Sequence, residues 1–188
     1  LIAGYAKHGN AEAAFDIYEK MGQDGIFPNE VTFVCILKAC SNVGAIDDGM
    51  SIHTSIVESG FESNDIVGNA LIDMYVKCGA LAKAREVFDK LPERDVVAWT
   101  ALIGGYAKHG FGNEALACFR RMRGEGLSPN EVTFICTLKA CNVAGSLEMG
   151  EAIHNETKNL GFLPSNVVLG TALVDMYAKC GAQEKARE

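Results

Sequence analysis

Apolar residues recur along this chain at the spacing of amphipathic helices, and the predicted helices come in pairs. Between residues 96 and 130, one apolar stripe spans 99–107, a second spans 115–122, and Gly110 separates them. Helices of about a dozen residues do not persist alone in water, so each needs a neighbour to cover its apolar stripe. The pattern therefore predicts an all-α fold, an α-solenoid in which stacked helix-turn-helix repeats form a right-handed superhelix.

The predicted hairpins lie within a long internal repeat. The stretch LIAGYAKHG at 1–9 returns as LIGGYAKHG at 102–110, and EVTFVCILKAC at 30–40 returns as EVTFICTLKAC at 131–141. The offset is 101 residues in both cases, and turns rich in Pro, Ser or Asn divide it into shorter units. We expect one repeat array over 1–188, with units at 1–29 (truncated in front), 30–64, 65–95, 96–130, 131–166 and 167–188 (truncated behind).

One stretch rich in reactive residue types occurs twice, as ALIDMYVKCGALAKARE at 70–86 and as ALVDMYAKCGAQEKARE at 172–188. The repeat itself explains this spacing. Asp73 and Lys77 form a stabilising i,i+4 pair on one predicted helix, and the second copy repeats the pair. We therefore interpret the spacing as structural and expect no catalytic site in this segment.

The composition fits a folded chain in a reducing compartment. Of its 188 residues, 48% are hydrophobic and 22% are charged, which is enough apolar surface for a core. The seven cysteines include no C-x-x-C pair, which argues against zinc ribbons and dithiol redox motifs, and their odd number argues against a complete disulfide framework. We expect small buried thiols, no metal and no cofactor.

Charge is spread unevenly along the chain. Residues 1–95 hold 8 Lys and Arg against 15 Asp and Glu, whereas residues 96–188 hold 9 against 9. The acidic first half provides no footprint for neutralising phosphates, and we expect neither DNA nor a membrane as a partner. The first residues include neither an initiator Met nor a targeting leader, so we expect any targeting signal to lie outside this sequence.

The tripeptide HNE at 154–156 matches the first half of the H-x-E and P-C-x-x-C signature of zinc deaminases. The aligned stretch HTS at 53–55 has no Glu, no C-x-x-C follows, and the tripeptide lies in a predicted repeat helix. We interpret the match as chance.

The complete units measure 35, 31, 35 and 36 residues. Together with the run ALIDMYVKCGALAKAREVFDKLPERDVVAWTALIGGYAKHGFGNEALACFRRMRGEGLSPNEVTFICTLKAC at 70–141, these lengths resemble the pentatricopeptide repeats of the plant PLS class, in which standard, long and short repeats alternate. The resemblance assigns 1–29 and 96–130 to the standard type, 30–64 and 131–166 to the long type, and 65–95 and 167–188 to the short type.

The rival family is the tetratricopeptide repeat, a protein-binding hairpin of about 34 residues. It requires a near-constant repeat length and a small residue early in the first helix, where this chain has Ile72, Ile103 and Val174. A helical-repeat scaffold for protein–protein interaction is nevertheless the alternative function.

The resemblance implies sequence-specific binding of single-stranded RNA, with roughly one base read per repeat. In this family the fifth and last residues of a repeat read the base, and an aliphatic second residue packs against its face. Asn with Asp implies uracil, Thr with Asn implies adenine, and Thr alone implies a purine. These residues are Asn69 and Asp95 with Ile66 in the unit 65–95, Thr100 and Asn130 with Val97 in the unit 96–130, and Thr171 with Val168 in the last unit.

The long units depart from this code, since their fifth residues, Val34 and Ile135, offer no hydrogen bond. Asn64 and Asn166 end those units and Asn29 ends the first, so all five are weaker candidates for RNA contact. In chain order, from 5′ to 3′ along the RNA, the implied target is two unspecified bases, U, A, one unspecified base and a purine. The alternative interpretation of each last residue is a helix N-cap, which is worth about 1 kcal/mol.

The resemblance also implies a role in organellar transcript processing, in a mitochondrion or a chloroplast. The role it favours is recognition of sites for C-to-U RNA editing. The repeats would then select the site, and a C-terminal extension or another protein would supply any deaminase. RNA-editing factors are therefore expected as further partners.

Overall fold

The computed structural model describes residues 1–163 and 166–186, and these contain eleven α-helices and no strand. The predicted all-α fold is confirmed. The chain divides into two compact units, Leu1–Arg94 and Asp95–Glu188. The first unit contains α1 (Ile2–Lys7), α2 (Ala11–Gln23), α3 (Glu30–Val43), α4 (Ile46–Glu58), α5 (Asp65–Lys77) and α6 (Leu81–Lys90). The second unit contains α7 (Val96–Lys108), α8 (Gly112–Gly124), α9 (Glu131–Ala144), α10 (Leu147–Asn159) and α11 (Val167–Lys179).

Within each unit the helices form hairpins that stack on one another. We call the odd-numbered helices, α1 to α11, the first helices of their hairpins, and the even-numbered helices the second helices. In the first unit α3 packs against both α1 and α5, while α2 and α4 each contact the first helices on either side. In the second unit α9 packs against both α7 and α11. The second helix α8 contacts α7 and α9, and the second helix α10 contacts α9 and α11. Each unit is therefore an α-solenoid segment in which a hairpin contacts mainly the next hairpin.

Aromatic side chains fill the contacts between these helices. The ring of Phe134 in α9 lies 6.3 Å from that of Phe119 in α8 and 6.1 Å from that of Phe162, measured between centroids. Full burial of such a side chain stabilises the fold by about 1.5–3 kcal/mol. The largest fully buried aromatic side chains are Phe33, Tyr75 and Phe88 in the first unit and Trp99, Phe119 and Phe134 in the second.

The stretch that occurs twice plays the structural role predicted for it. Lys77 Nζ lies 2.7 Å from Asp73 Oδ2 on α5, and the pair of Lys179 with Asp175 on α11 is 2.9 Å apart. Both pairs are partly exposed, so each stabilises its helix by only a few tenths of a kcal/mol. Gly79 follows α5 with a φ of 79°, in the left-handed region that favours glycine, and turns the chain into α6.

A histidine and a tyrosine join successive hairpins in both units. His53 Nδ1 on α4 lies 2.8 Å from the Tyr75 hydroxyl on α5, and His154 on α10 makes the same 2.8 Å contact with Tyr177 on α11. Burial first, and Lys90 next, lower the pKa of His53 below its ordinary value of 6.5. The imidazole of His53 is therefore neutral near pH 7 and serves as a packing and hydrogen-bonding group.

Three of the seven cysteines are buried and four are half-buried. All seven are free thiols, and Cys40 on α3 and Cys141 on α9 are fully buried. Burial raises the pKa of both thiols to about 12, so neither is a reactive thiolate at neutral pH. In the described part of the chain no group of three or more His, Cys, Asp or Glu side chains is placed to hold a metal ion. Nor does any helix there have the length and apolarity needed to cross a membrane.

Two helical glycines provide a matched test of hairpin packing. A Cβ atom on Gly112, at the start of α8, would lie 2.7 Å from the backbone nitrogen of Ala144 and 2.9 Å from the carbonyl oxygen of Ala140, whereas one on Gly170 in α11 would meet nothing within 4 Å. We expect Gly112→Ala to lower the free energy of unfolding by about 1–3 kcal/mol, because the backbones of α8 and α9 must separate. Gly170→Ala should raise it by up to about 1 kcal/mol through helix propensity. Urea unfolding followed by circular dichroism measures both, and equal effects would contradict the close approach of α8 to α9.

Candidate nucleic-acid interface

In each of the five repeats from 1–29 to 131–166, the last residue caps the first helix of the next repeat. Each side-chain oxygen accepts a hydrogen bond from the backbone N–H three residues later, at 2.8–2.9 Å. The capping predicted as the alternative interpretation of these residues is therefore present at every one. The pairs are Asn29 with Thr32, Asn64 with Val67, Asp95 with Ala98, Asn130 with Thr133, and Asn166 with Leu169.

Successive first helices run in the same direction within a unit, because two chain reversals separate them. Their N-termini therefore meet along one edge. Asn64 at the start of α5 reaches Glu30 at the start of α3, and Thr100 in the first turns of α7 reaches Thr133 in the first turn of α9. We call these N-caps and first turns the cap edge, which in the first unit belongs to α3 and α5 and in the second to α7, α9 and α11.

Capping fixes how the asparagine amides point. A backbone N–H only donates, so the side-chain oxygen must face it and the amide nitrogen must face away. Asn29 and Asn130 are exposed, and their Nδ2 atoms have no protein partner within residues 1–163 and 166–186. Each therefore presents an N–H donor to solvent at the cap edge.

Asn64 differs from the other capping asparagines. Its Nδ2 donates to Glu30 Oε2 at 2.8 Å while its Oδ1 accepts from Val67 N at 2.9 Å. Both ends of the amide are thus engaged within the protein. A base at this position would have to displace Glu30 before it could accept a hydrogen bond from Asn64.

The fifth residues lie one helical turn further along each first helix. Thr100 Oγ1 is 2.7 Å from Thr133 Oγ1, while Thr171 Oγ1 donates to the carbonyl oxygen of Val167 at 2.8 Å. Asn69 is half-buried on α5, in the compact unit Leu1–Arg94. Asp95, its predicted partner at the end of the repeat 65–95, is the first residue of the other compact unit. The apolar fifth residues of the long units, Val34 and Ile135, are half-buried.

The second residues are exposed aliphatic side chains, as packing against a base requires. The three predicted ones are joined by two that the sequence analysis missed, Val31 and Val132, although the same repeat register would have found them. All five are 57–64% exposed. They are Val31 and Ile66 in the first unit, and Val97, Val132 and Val168 in the second.

Four of the first helices end on a lysine. Lys7, Lys77, Lys108 and Lys179 are the last residues of α1, α5, α7 and α11. At this end of a helix, the positive charge of each lysine interacts favourably with the helix macrodipole. Two of the four, Lys77 and Lys179, are paired with aspartates on their own helices.

Comparison with known families identifies the repeat. A model described as the PPR repeat family matches residues 1–42 and 94–142, and a second model, the PPR repeat, matches 69–96. The chain belongs to the pentatricopeptide repeat family. The resemblance predicted from the unit lengths and motifs is confirmed at the level of the family.

Pentatricopeptide repeat proteins of Arabidopsis thaliana are similar over almost the whole chain. One is 41% identical over 184 residues, which is 98% of this chain and 25% of the relative. A relative named chloroplastic is 39% identical over 99% of the chain, and one named mitochondrial is 37% identical over 100%. The chain covers 31% and 27% of these two, so it spans about a quarter to a third of the relatives it matches.

Two solved structures have a similar fold. The pentatricopeptide repeat protein PPR10 of maize, in complex with an 18-nucleotide psaJ RNA element, is 25% identical, with a TM-score of 0.77 over 100% of this chain and 28% of its own. Nuclear proteinaceous RNase P 2 of A. thaliana is 14% identical, with a TM-score of 0.70 over 95% of this chain and 41% of its own. The second likeness concerns the fold alone.

The contact of Asn64 with Glu30 generates a stability prediction. Asn64→Asp and Asn130→Asp both keep an N-cap, since Asp caps as well as Asn. Only Asn64→Asp replaces a donor with an acceptor that faces the Glu30 carboxylate. We expect it to lower the free energy of unfolding at pH 7 by about 1–2 kcal/mol more than Asn130→Asp does. Urea unfolding of the two variants measures the difference, and equal stabilities would show that the 2.8 Å contact contributes nothing.

Proposed function

We propose that this chain binds single-stranded RNA along the cap edge and reads about one base per repeat. Its proposed role is to select an RNA sequence, not to catalyse a reaction. The observation that carries the proposal is the composition of that edge. An exposed aliphatic residue recurs at the second position of α3, α5, α7, α9 and α11. Beside two of them, the capping residues Asn29 and Asn130 turn their amide donors toward solvent. The RNA in the complex of the similar maize protein supports the choice of ligand.

The spacing of the helices favours a single strand with separated bases. Packed helices lie about 8–10 Å apart, whereas stacked bases in a duplex strand lie about 3.4 Å apart. A base read at each repeat must therefore unstack from its neighbouring bases, which exposes its faces to water. The exposed second-position side chains provide replacement cover, because each places an aliphatic group where a base face can lie against it.

The polar residues of the cap edge provide the selection. Thr100 and Asn130 offer an oxygen and an amide donor that suit adenine, and the family code assigns uracil to Asn69 with Asp95. At the unit 30–64 the fifth residue is apolar and Asn64 is held by Glu30, which supports an unspecified base there. The proposed target is unchanged from the sequence analysis: two unspecified bases, U, A, one unspecified base and a purine.

We retain the division into repeats and their assignment to the PLS class as part of this proposal. The proposed starts at 30, 65, 96, 131 and 167 coincide with the first residues of α3, α5, α7, α9 and α11, which supports them. The residues at the end of the unit 131–166 fall partly outside the described residues, since 164 and 165 do, as do 187 and 188 at the end of the last unit.

The proposed setting is an organelle. Relatives named chloroplastic and mitochondrial support this placement and favour neither compartment. There the chain would select sites for C-to-U editing, with RNA-editing factors as partners. Base contacts, rather than neutralised phosphates, would supply most of the affinity, since the chain is acidic.

Asn130→Asp separates base reading from capping. The substitution keeps the cap but replaces an amide donor with a carboxylate, which only accepts hydrogen bonds. Guanine carries N–H donors on its pairing edge, so at one RNA position the ratio of adenine to guanine should fall by roughly tenfold. Binding of a randomised RNA pool, followed by sequencing, measures the ratio at every position. Neighbouring positions should keep their preferences.

The matched control is Asn10→Asp. Asn10 caps α2, a second helix, and accepts from Ala13 N at 3.1 Å away from the cap edge. The substitution Asn10→Asp should leave every base preference unchanged. If Asn130→Asp also leaves them unchanged while the unaltered chain selects adenine, Asn130 only caps. If the unaltered chain binds RNA without preference, or not at all, the proposed reading function is wrong, and the protein-interaction scaffold is the alternative to test.

A further inference from the structure

We propose that Thr133 is a positioning residue for base selection in the unit 96–130: its buried hydroxyl holds Thr100 and Asn130 in one fixed arrangement of donor and acceptor. The inference rests on the proposed RNA-reading function. Thr133 belongs to the following unit, at the third residue of α9, so the selectivity of one repeat would depend on a residue of the next.

The hydroxyl of Thr133 lies at the centre of a small network. It donates to Asn130 Oδ1 at 2.9 Å, accepts from Asn130 N at 3.3 Å, and lies 2.7 Å from Thr100 Oγ1. A hydroxyl has one proton and two lone pairs. Once its proton goes to Asn130, the remaining lone pair accepts from Thr100, and every hydrogen-bonding capacity of the group is used. Thr133 is fully buried, so water does not compete for these bonds.

This network determines what the two reading residues present to a base. Asn130 Oδ1 accepts from both the N–H and the hydroxyl of Thr133, so its Nδ2 points outward as a donor. Thr100 spends its proton on Thr133, so its oxygen is left with lone pairs as an acceptor. The pair therefore offers one acceptor and one donor in a fixed order.

A fixed order is what distinguishes the two purines. Adenine and guanine have the same size, but adenine has an amino donor and a ring nitrogen acceptor where guanine has a carbonyl acceptor and a ring N–H donor. A pair whose order is fixed fits one purine and opposes the other. A threonine hydroxyl that is free to rotate can donate or accept, and it would fit both.

The same chain shows a fifth-position threonine in another arrangement. Thr171 donates its hydroxyl proton to the carbonyl oxygen of Val167, four residues earlier on its own helix. Thr100 instead directs its oxygen across to α9. Thr32 repeats the contact of Thr133 with the preceding asparagine, since its Oγ1 donates to Asn29 Oδ1 at 2.9 Å. The contact of this threonine with the preceding asparagine therefore occurs in both copies of the 101-residue repeat, and at Thr133 the contact with Thr100 is added to it.

The test is Thr133→Val, which removes the hydroxyl and keeps the shape of the side chain. In sequencing of a randomised single-stranded RNA pool bound by the chain, the ratio of adenine to guanine at one position should fall from roughly tenfold toward parity. Thr133→Ser restores the hydroxyl and should restore the ratio. Preferences at the other positions should not change.

Thr137→Val is the matched control. Thr137 is also fully buried on α9, one turn further on, and its hydroxyl donates to Thr133 O at 2.7 Å without reaching a reading residue. It should alter stability but leave the purine ratio intact. If the unaltered chain prefers adenine and Thr133→Val prefers it equally, the proposal for Thr133 is wrong while the reading function stands. If the unaltered chain shows no base preference, the reading function itself fails.

Discussion

Each helix of this chain depends on a neighbouring helix to cover its apolar face. Helices of 13 or 14 residues, such as α5, α7 and α9, are marginal in water on their own. They persist because a first helix such as α9 is packed on both sides by other first helices. The spacing of the cap edge follows from this packing, since the N-termini can be no closer than the packed helices allow. The regular spacing that the proposed one-base-per-repeat reading needs is thus a consequence of how the core must be built.

At the cap edge, the proposed recognition would use the same side chains that stabilise the helices. Asn130 stabilises α9 with its oxygen and presents its amide nitrogen outward, so neither role excludes the other. Asn64 cannot serve both roles at once, because its amide nitrogen, which would face a base, donates a hydrogen bond to Glu30. Under the proposed reading function, selectivity would depend on whether a neighbouring hairpin binds the outward-facing amide of the capping side chain. This explains how equivalent asparagines in one array would differ in what they read.

The hairpins, their turns and the ion pairs of the recurring stretch were predictable from the sequence, because helical periodicity and i,i+4 spacing are local properties. The second-position residues were predictable from the register, although applying it only to the standard and short units missed Val31 and Val132. The contacts of Asn64 with Glu30 and of Thr100 with Thr133 were not predictable. They join residues 34 and 33 positions apart, and they depend on how closely two hairpins approach.

The central claim is that successive repeats read successive bases of a single strand. Its most direct test is selection from a randomised single-stranded RNA pool by the chain embedded between neutral capping repeats, at two salt concentrations. The account predicts enrichment of a U-A step with a purine two positions after the A, and a base preference that persists at the higher salt. Strong binding without any base preference, or no binding at the lower salt, would contradict it.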